Sequence, residues 1–215
     1  MQGILSGMKV VEGSAFVAAP LGGTTLAQMG CGRDSLRPDR RGSLLRRWPV
    51  TADNQSLFWA GLNKGKRSIQ VDIRKPEGQE LLTALIGRGG DDGGMFLTNF
   101  PERGWSEMVQ FEAGARCTHL RQRAGRSSRR YGRRLHGELC SRIRAGNGMR
   151  GDPEPTNWLL PAWDNITGQM AALALLAAER HRRQTGEGQL VRLALKDVAR
   201  RHRRSSRQYC RGHGK

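Results

Sequence analysis

The sequence predicts an α/β fold in which helices cover both faces of a parallel β-sheet. Strand-like and helix-like stretches alternate over the first hundred residues, and a long Ala/Leu-rich helix precedes a further strand near residue 190. The 215 residues are enough for one sizeable domain. The composition, with 37% hydrophobic residues and no long apolar run or heptad pattern, excludes collagen, a coiled coil and a membrane span.

The first predicted unit is a strand, a turn and a helix over residues 8–30. Met8 to Glu12 is extended and apolar, and Pro20 suits the opening of a helix that continues through Leu26 and stops at Gly30.

The next two strands and the helix between them follow from periodicity. Ile69, Val71 and Ile73 alternate with polar residues, as in a strand, and Pro76 then opens the amphipathic segment PEGQELLTALI. The segment GMFLTNF, ending at Asn99 and Phe100, predicts another strand.

Residues 161–199 form the most regular part of the sequence. Asp164 and Thr167 both suit a helix N-cap, and the apolar run GQMAALALL predicts a buried helix over 165–182. TGEG then ends the helix, and QLVRLAL predicts a strand.

The charge of the chain lies in three Arg-rich segments, 31–47, 113–150 and 196–215. The chain has 37 basic and 19 acidic residues, a net charge of +18, and the rest of the sequence is slightly acidic. These segments have no apolar period, so we expect irregular structure at 31–47 and 113–152 and a disordered basic tail at 200–215. Two explanations stand: a disordered basic insert, or coding sequence translated out of frame. We favour the second, because frame-shifted GC-rich genes yield such residues.

Nucleic-acid binding is the function that such basicity first suggests, with a pI near 11.3. The long Arg-rich segment has only Tyr131 for base stacking, and no binding motif, so we disfavour it. The four cysteines, Cys31, Cys117, Cys140 and Cys210, form no CxxC pair. We therefore expect a cytoplasmic protein with no metal and no membrane partner.

Four strings resemble the family III CoA transferases, which include formyl-CoA transferase, carnitine CoA-transferase and α-methylacyl-CoA racemase. They are LSGMKVVEGSAFVAAPLGG, LFWAGLNKGKRSIQVDIRKPEGQELL, FLTNF and PAWDNITGQMAALALLAAERHRRQTGEGQLVRLALKDVA. The resemblance implies a Rossmann-like parallel sheet, coenzyme A as part of an acyl-CoA substrate, a carboxylic acid as partner, and a homodimer for a full-length chain. Compared with full-length family members, we expect residues 1–199 to form an incomplete large domain and the second, small domain to be missing.

The resemblance marks Asp164 as the catalytic nucleophile. CoA transfer between carboxylates needs a carboxylate that attacks a thioester and then carries CoA. The residues alone favour a plain helix N-cap for Asp164. A racemase of the same family would instead use Asp164 as one acid/base of a pair, and the sequence leaves that alternative open.

By the same resemblance, Val17 and Ala18 would line the pantetheine and thioester, and Asn99 would also contact CoA. Each has a simpler explanation, namely an apolar packing turn for the first two and a turn former for the third. Asn63, Lys66 and Arg67 suit the phosphates of CoA, although such a run is more often a solvated charge cluster.

Overall fold

The computed structural model is an α/β fold with a six-stranded, all-parallel sheet. It describes residues 3–37, 46–88, 90–100, 104–105, 116–121 and 160–202; for 33–37 and 116–121 only the backbone is described. The strand order is β3-β2-β1-β4-β5-β6. This is the doubly wound, Rossmann-like arrangement, and it confirms the predicted fold class.

Strands and helices alternate along the described chain, except that β4 and β5 follow one another with no described helix of this list between them. In chain order they are β1 (Lys9–Gly13), α1 (Ala18–Gln28), β2 (Gly32–Arg37), α2 (Leu57–Leu62), β3 (Arg67–Gln70), α3 (Pro76–Gly87), β4 (Met95–Thr98), β5 (Arg116–Arg121), α4 (Ala162–Thr185) and β6 (Val191–Ala194). A further helix, α5, covers 195–202 of the described chain.

The two faces of the sheet are buried by different helices, because neighbouring strand residues point to opposite faces. Val10 and Leu97 pack with residues of α1 and α4 in one apolar cluster. Val11 and Phe96 pack with Leu82 and other residues of α3 and its surroundings in a second cluster. Both faces of the central strands are therefore covered, as their continuous apolar sequences require.

Helices α1 and α4 cross closely at two glycines. A Cβ atom added at Gly22 would lie 2.7 Å from the Gly168 carbonyl oxygen, and one added at Gly168 would lie 2.7 Å from the Ala18 carbonyl oxygen. No larger side chain fits there without a shift of backbone. The crossing fixes the start of α4 against the start of α1.

The structure corrects our expectation of irregular backbone in the Arg-rich segments. Residues 32–37 form β2, paired with β1 and β3, and residues 116–121 form β5, paired with β4 and β6. Any non-proline backbone can bond to a neighbouring strand, so an apolar period is not needed for strand pairing. Residues 200–202, placed in the expected tail, continue α5. The rest of these segments, 38–45, 122–159 and 203–215, lies outside the described residues.

Helix α4 confirms the predicted helix but corrects its burial and its start. It begins at Ala162 with Pro161 as N-cap, so neither Asp164 nor Thr167 caps it. The Thr167 hydroxyl donates to the Trp163 carbonyl, 2.6 Å away, within the helix. Leu173 is 67% exposed, because only one side of α4 packs on α1 and the sheet.

Candidate active site

The candidate active site lies at the carboxyl ends of β1 and β4. The chain leaves β1 towards β2 on one side and leaves β4 towards β5 on the other, so the connections diverge between these two neighbouring strands. Open parallel sheets bind ligands in the crevice that this divergence creates. Val17, Ala18 and Asn99 all follow these strand ends, as the sequence predicted.

Asn99 holds the turn that follows β1. Its Oδ1 accepts a hydrogen bond from the Ala15 N–H at 3.0 Å, and its Nδ2 donates to the Ala15 carbonyl at 2.7 Å. The turn also contains Phe16, whose φ of 68° is an unusual, strained conformation for a bulky residue. Such strain persists only where surrounding contacts enforce it, and it is frequent at binding sites.

Val17 and Ala18 lie at the start of α1 beside this turn. Val17 is the helix N-cap residue and is 4% exposed, and its carbonyl accepts the Leu21 N–H at 2.8 Å. The Ala18 carbonyl lies against Gly168 of α4. The two residues predicted to line a ligand are therefore adjacent to the beginning of α4.

Asp164 lies in the first turn of α4, one helical turn before Gly168. It is 4% exposed. Gly168 lies against Ala18 and Gly22 lies against Ala171, so the two helices run in the same direction and Asp164 lies about 6 Å from Gly168 towards the start of α1. A carboxyl in the first turn of a helix is favoured by the helix dipole. The crossing thus places Asp164 at the end of α4 that lies beside the start of α1, which follows the turn after β1.

Lys66 forms a buried ion pair with Glu12, at the end of β1. The ammonium lies 3.0 Å from Glu12 Oε1, and the two side chains are 1% and 0% exposed. Lys66 also donates to the Pro20 carbonyl at 2.8 Å, and the Ser14 hydroxyl donates to the same Glu12 oxygen at 2.6 Å. Lys66 thereby joins the segment before β3 to β1 and α1. Its role as a phosphate contact stays a prediction.

Asn63 and Arg67, the other predicted phosphate contacts, flank Lys66 at α2 and β3. The Asn63 amide donates to the Trp59 carbonyl at 2.8 Å and ends α2, whereas Arg67 is exposed at the start of β3. The structure therefore separates the predicted cluster into a helix end, a buried cation and an exposed cation.

Sequence reasoning missed two residues of this region, Glu12 and Arg47. Glu12 is acidic at the end of an otherwise apolar buried strand, a pattern that demands a buried cation nearby and could have revealed the pair. Arg47 was counted only as part of an Arg-rich segment. Its guanidinium lies 4.3 Å from the centre of the Phe58 ring and 5.8 Å from that of Phe16.

Within the described ranges, no group of three or more His, Cys, Asp or Glu residues is placed to hold a metal ion. In the same part of the chain, no helix is both long enough and apolar enough to cross a membrane.

The sequence model of CoA-transferase family III matches residues 5–102 and 125–209, and the chain therefore belongs to that family. It is 56% identical to 2-methylfumaryl-CoA isomerase from Chloroflexus aurantiacus over 205 residues, which is 92% of this chain and 49% of that enzyme. Succinyl-CoA--D-citramalate CoA-transferase from the same organism is 29% identical and is covered over 49% of its length. The chain thus spans about half the length of the curated relatives it matches.

Two solved structures share the fold. A CAIB/BAIF family protein from Brucella suis matches with a TM-score of 0.72 at 24% identity, covering 92% of this chain and 55% of that one. The protein Rv3272 from Mycobacterium tuberculosis matches with a TM-score of 0.76 at 21% identity, covering 96% and 59%. This chain is accordingly a family III member that carries the sheet and helices described above.

Proposed function

We propose that the protein moves coenzyme A between the two carboxyl groups of one unsaturated diacid and in this way isomerises 2-methylfumaryl-CoA. The observation that carries the proposal is the 56% identity to that enzyme, together with a buried Asp164 beside the turn after β1. The identity covers 49% of that relative, so the activity of the whole enzyme enters here as a proposal for this chain.

Asp164 is the proposed nucleophile. Its carboxylate attacks the thioester carbonyl, the CoA thiolate leaves, and an acyl-aspartyl anhydride forms. The thiolate then attacks the aspartyl carbonyl of the anhydride, releasing the diacid and leaving CoA on Asp164 as a thioester. The second carboxylate of the diacid attacks this thioester and expels the CoA thiolate, and an isomeric acyl-aspartyl anhydride forms. The thiolate then attacks the acyl carbonyl of this anhydride and expels the Asp164 carboxylate. The isomeric thioester forms, Asp164 is regenerated, and nothing is oxidised or reduced.

The surroundings of Asp164 support this chemistry. Burial excludes water, which would hydrolyse the anhydride and the aspartyl thioester. The position in the first turn of α4 offers backbone N–H groups near a developing oxyanion. The diacid must stay in place between the two halves of the reaction, so a closed crevice is required as well as a nucleophile.

CoA is proposed to enter along the turn after β1, with Val17 and Ala18 beside the pantetheine and thioester. Asn99 supports the turn through the Ala15 backbone. Arg67 is exposed at the start of β3, where a phosphate could reach it. Lys66 and Asn63 are proposed as weaker candidates, because their described contacts are with Glu12, Pro20 and Trp59.

Asp164→Asn tests the nucleophile. The amide keeps the size of the side chain, so we expect correct folding, but it forms no anhydride, and isomerisation of 2-methylfumaryl-CoA should fall by at least a thousandfold while CoA binding changes little. Hydroxylamine added with the acyl-CoA should modify Asp164 of the unaltered protein, as peptide mass spectrometry would show. Asp197→Asn, an exposed carboxyl on α5, is the control. Near-normal isomerisation by Asp164→Asn would refute the assignment.

A further inference from the structure

Arg47 is a cation held at the ligand crevice without a carboxylate partner among the described residues. Its guanidinium faces two aromatic rings, at 4.3 Å from the Phe58 ring centre and 5.8 Å from that of Phe16. The residue is half-buried. Ring faces attract the cation, but they satisfy none of the five N–H donors of a guanidinium.

The backbone of Arg47 is fixed as well. The Ser56 hydroxyl donates to the Arg47 carbonyl at 2.6 Å, and Ser56 Oγ in turn accepts the Trp59 N–H at 3.1 Å and so caps α2. Phe58 lies in the first turn of that helix. The side chain and the backbone of Arg47 are thus held by the same short helix, so its guanidinium is positioned before any ligand binds.

The position of Phe16 connects Arg47 to the reacting end of a ligand. Phe16 belongs to the turn that Asn99 holds, and it immediately precedes Val17 and Ala18, beside the start of α4. A guanidinium over this ring borders the crevice that the β1 and β4 ends create. Planar forks of N–H donors recognise carboxylates in a bidentate manner.

We infer that Arg47 binds the free carboxylate of the acyl group and thereby selects acyl-CoA substrates that carry a second carboxyl group. This inference rests on the proposed function. It adds a requirement: while CoA is on Asp164, the released diacid turns in the crevice, so that the carboxylate first bound by Arg47 attacks the thioester and the other carboxylate takes its place at Arg47. A phosphate group of CoA could also accept hydrogen bonds from the Arg47 guanidinium, and the experiment below distinguishes the phosphate from the carboxylate.

The experiment measures binding of three ligands by calorimetry: 2-methylfumaryl-CoA, the thioester in which a methyl group replaces the free carboxylate, and CoA alone. Arg47→Met should bind 2-methylfumaryl-CoA at least tenfold more weakly and should bind the other two within twofold of the unaltered protein. Arg47→Lys keeps a cation without the fork and should give an intermediate loss. Arg46→Met, an exposed neighbour, is the matched control and should bind all three normally.

The outcomes are distinguishable. An equal loss for all three ligands would assign Arg47 to a phosphate and overturn the inference, as would unchanged binding of 2-methylfumaryl-CoA. Thermal unfolding of each variant, compared with that of Arg47→Lys, shows whether a loss of binding reflects misfolding. Misfolding would weaken the binding of all three ligands, so a loss for 2-methylfumaryl-CoA alone cannot result from it. Failure of the proposed function appears separately, as absence of hydroxylamine modification at Asp164 in the unaltered protein.

Discussion

Two ion pairs involve residues on either side of β3, and the main difference between them is the burial of their side chains. Lys66 and Glu12 pair at 3.0 Å with side chains 1% and 0% exposed, whereas Arg74 and Asp72 pair at 2.8 Å with side chains 80% and 30% exposed. The distances are nearly equal. The comparison teaches that the surroundings of a pair, rather than its length, decide what its loss costs.

The buried pair connects distant parts of the fold, and the exposed pair joins two residues of one turn. Lys66 reaches β1 through Glu12 and α1 through the Pro20 carbonyl. Arg74 bonds to Asp72, two residues away, through its side chain and its backbone N–H. A change in the first pair therefore affects the geometry of the candidate active site, and a change in the second affects a local turn.

Removing the buried cation should have the largest effect. Lys66→Met leaves Glu12 charged and buried, and we expect a loss of about 3–5 kcal/mol in the free energy of unfolding, measured by urea denaturation. The Pro20 carbonyl is neutral and lies near the Thr24 hydroxyl, which also bonds to the Leu62 carbonyl, so most of the loss should come from the charged Glu12. The double variant Glu12→Gln, Lys66→Met removes the uncompensated charge and should recover most of the stability. Unchanged stability with weakened CoA binding would instead make Lys66 a phosphate contact.

A larger side chain at the crossing of α1 and α4 should lower the free energy of unfolding by a smaller amount. Gly168→Ala places a Cβ 2.7 Å from the Ala18 carbonyl oxygen, and we expect a loss of about 1–3 kcal/mol in thermal or urea unfolding. Gly61→Ala in α2 is the matched control, because nothing lies within 4 Å of its added Cβ. It should stabilise the protein by up to about 1 kcal/mol. Equal effects of the two substitutions would contradict the close crossing.

Removing the exposed cation should have the smallest effect. Hydrogen bonds from the Arg74 side chain and backbone N–H lower the pKa of Asp72 to about 2. Arg74→Ala should raise this pKa toward 3.8, as NMR titration of the carboxyl would show. The pair stabilises the fold above the unfolded pKa, and this contribution disappears as the pH falls through the folded value near 2. At neutral pH we expect no measurable change in the unfolding midpoint, since solvent screens an exposed pair.

Much of the fold could be predicted because periodicity reports which faces are buried. The strand near Val10, the helix opened by Pro76 and the helix of residues 165–182 all appeared where apolar spacing placed them. Strands β2 and β5 could not be predicted in this way. Their sequences, GRDSLR and RCTHLR, carry no apolar alternation, and only pairing with neighbouring strands reveals them. The out-of-frame origin of these segments stays a prediction.

The sequence by itself determined the fold class, the family resemblance and the position of Asp164 near a helix start. Each depends on local spacing or on residue strings, which need no partner in space. The tertiary structure alone decided that Lys66 faces Glu12, that Asn99 holds the Ala15 backbone and that Arg47 lies over Phe16 and Phe58. These contacts join residues tens of positions apart, and the divergence of chain connections between β1 and β4 is what brings the residues of the site to one edge of the sheet.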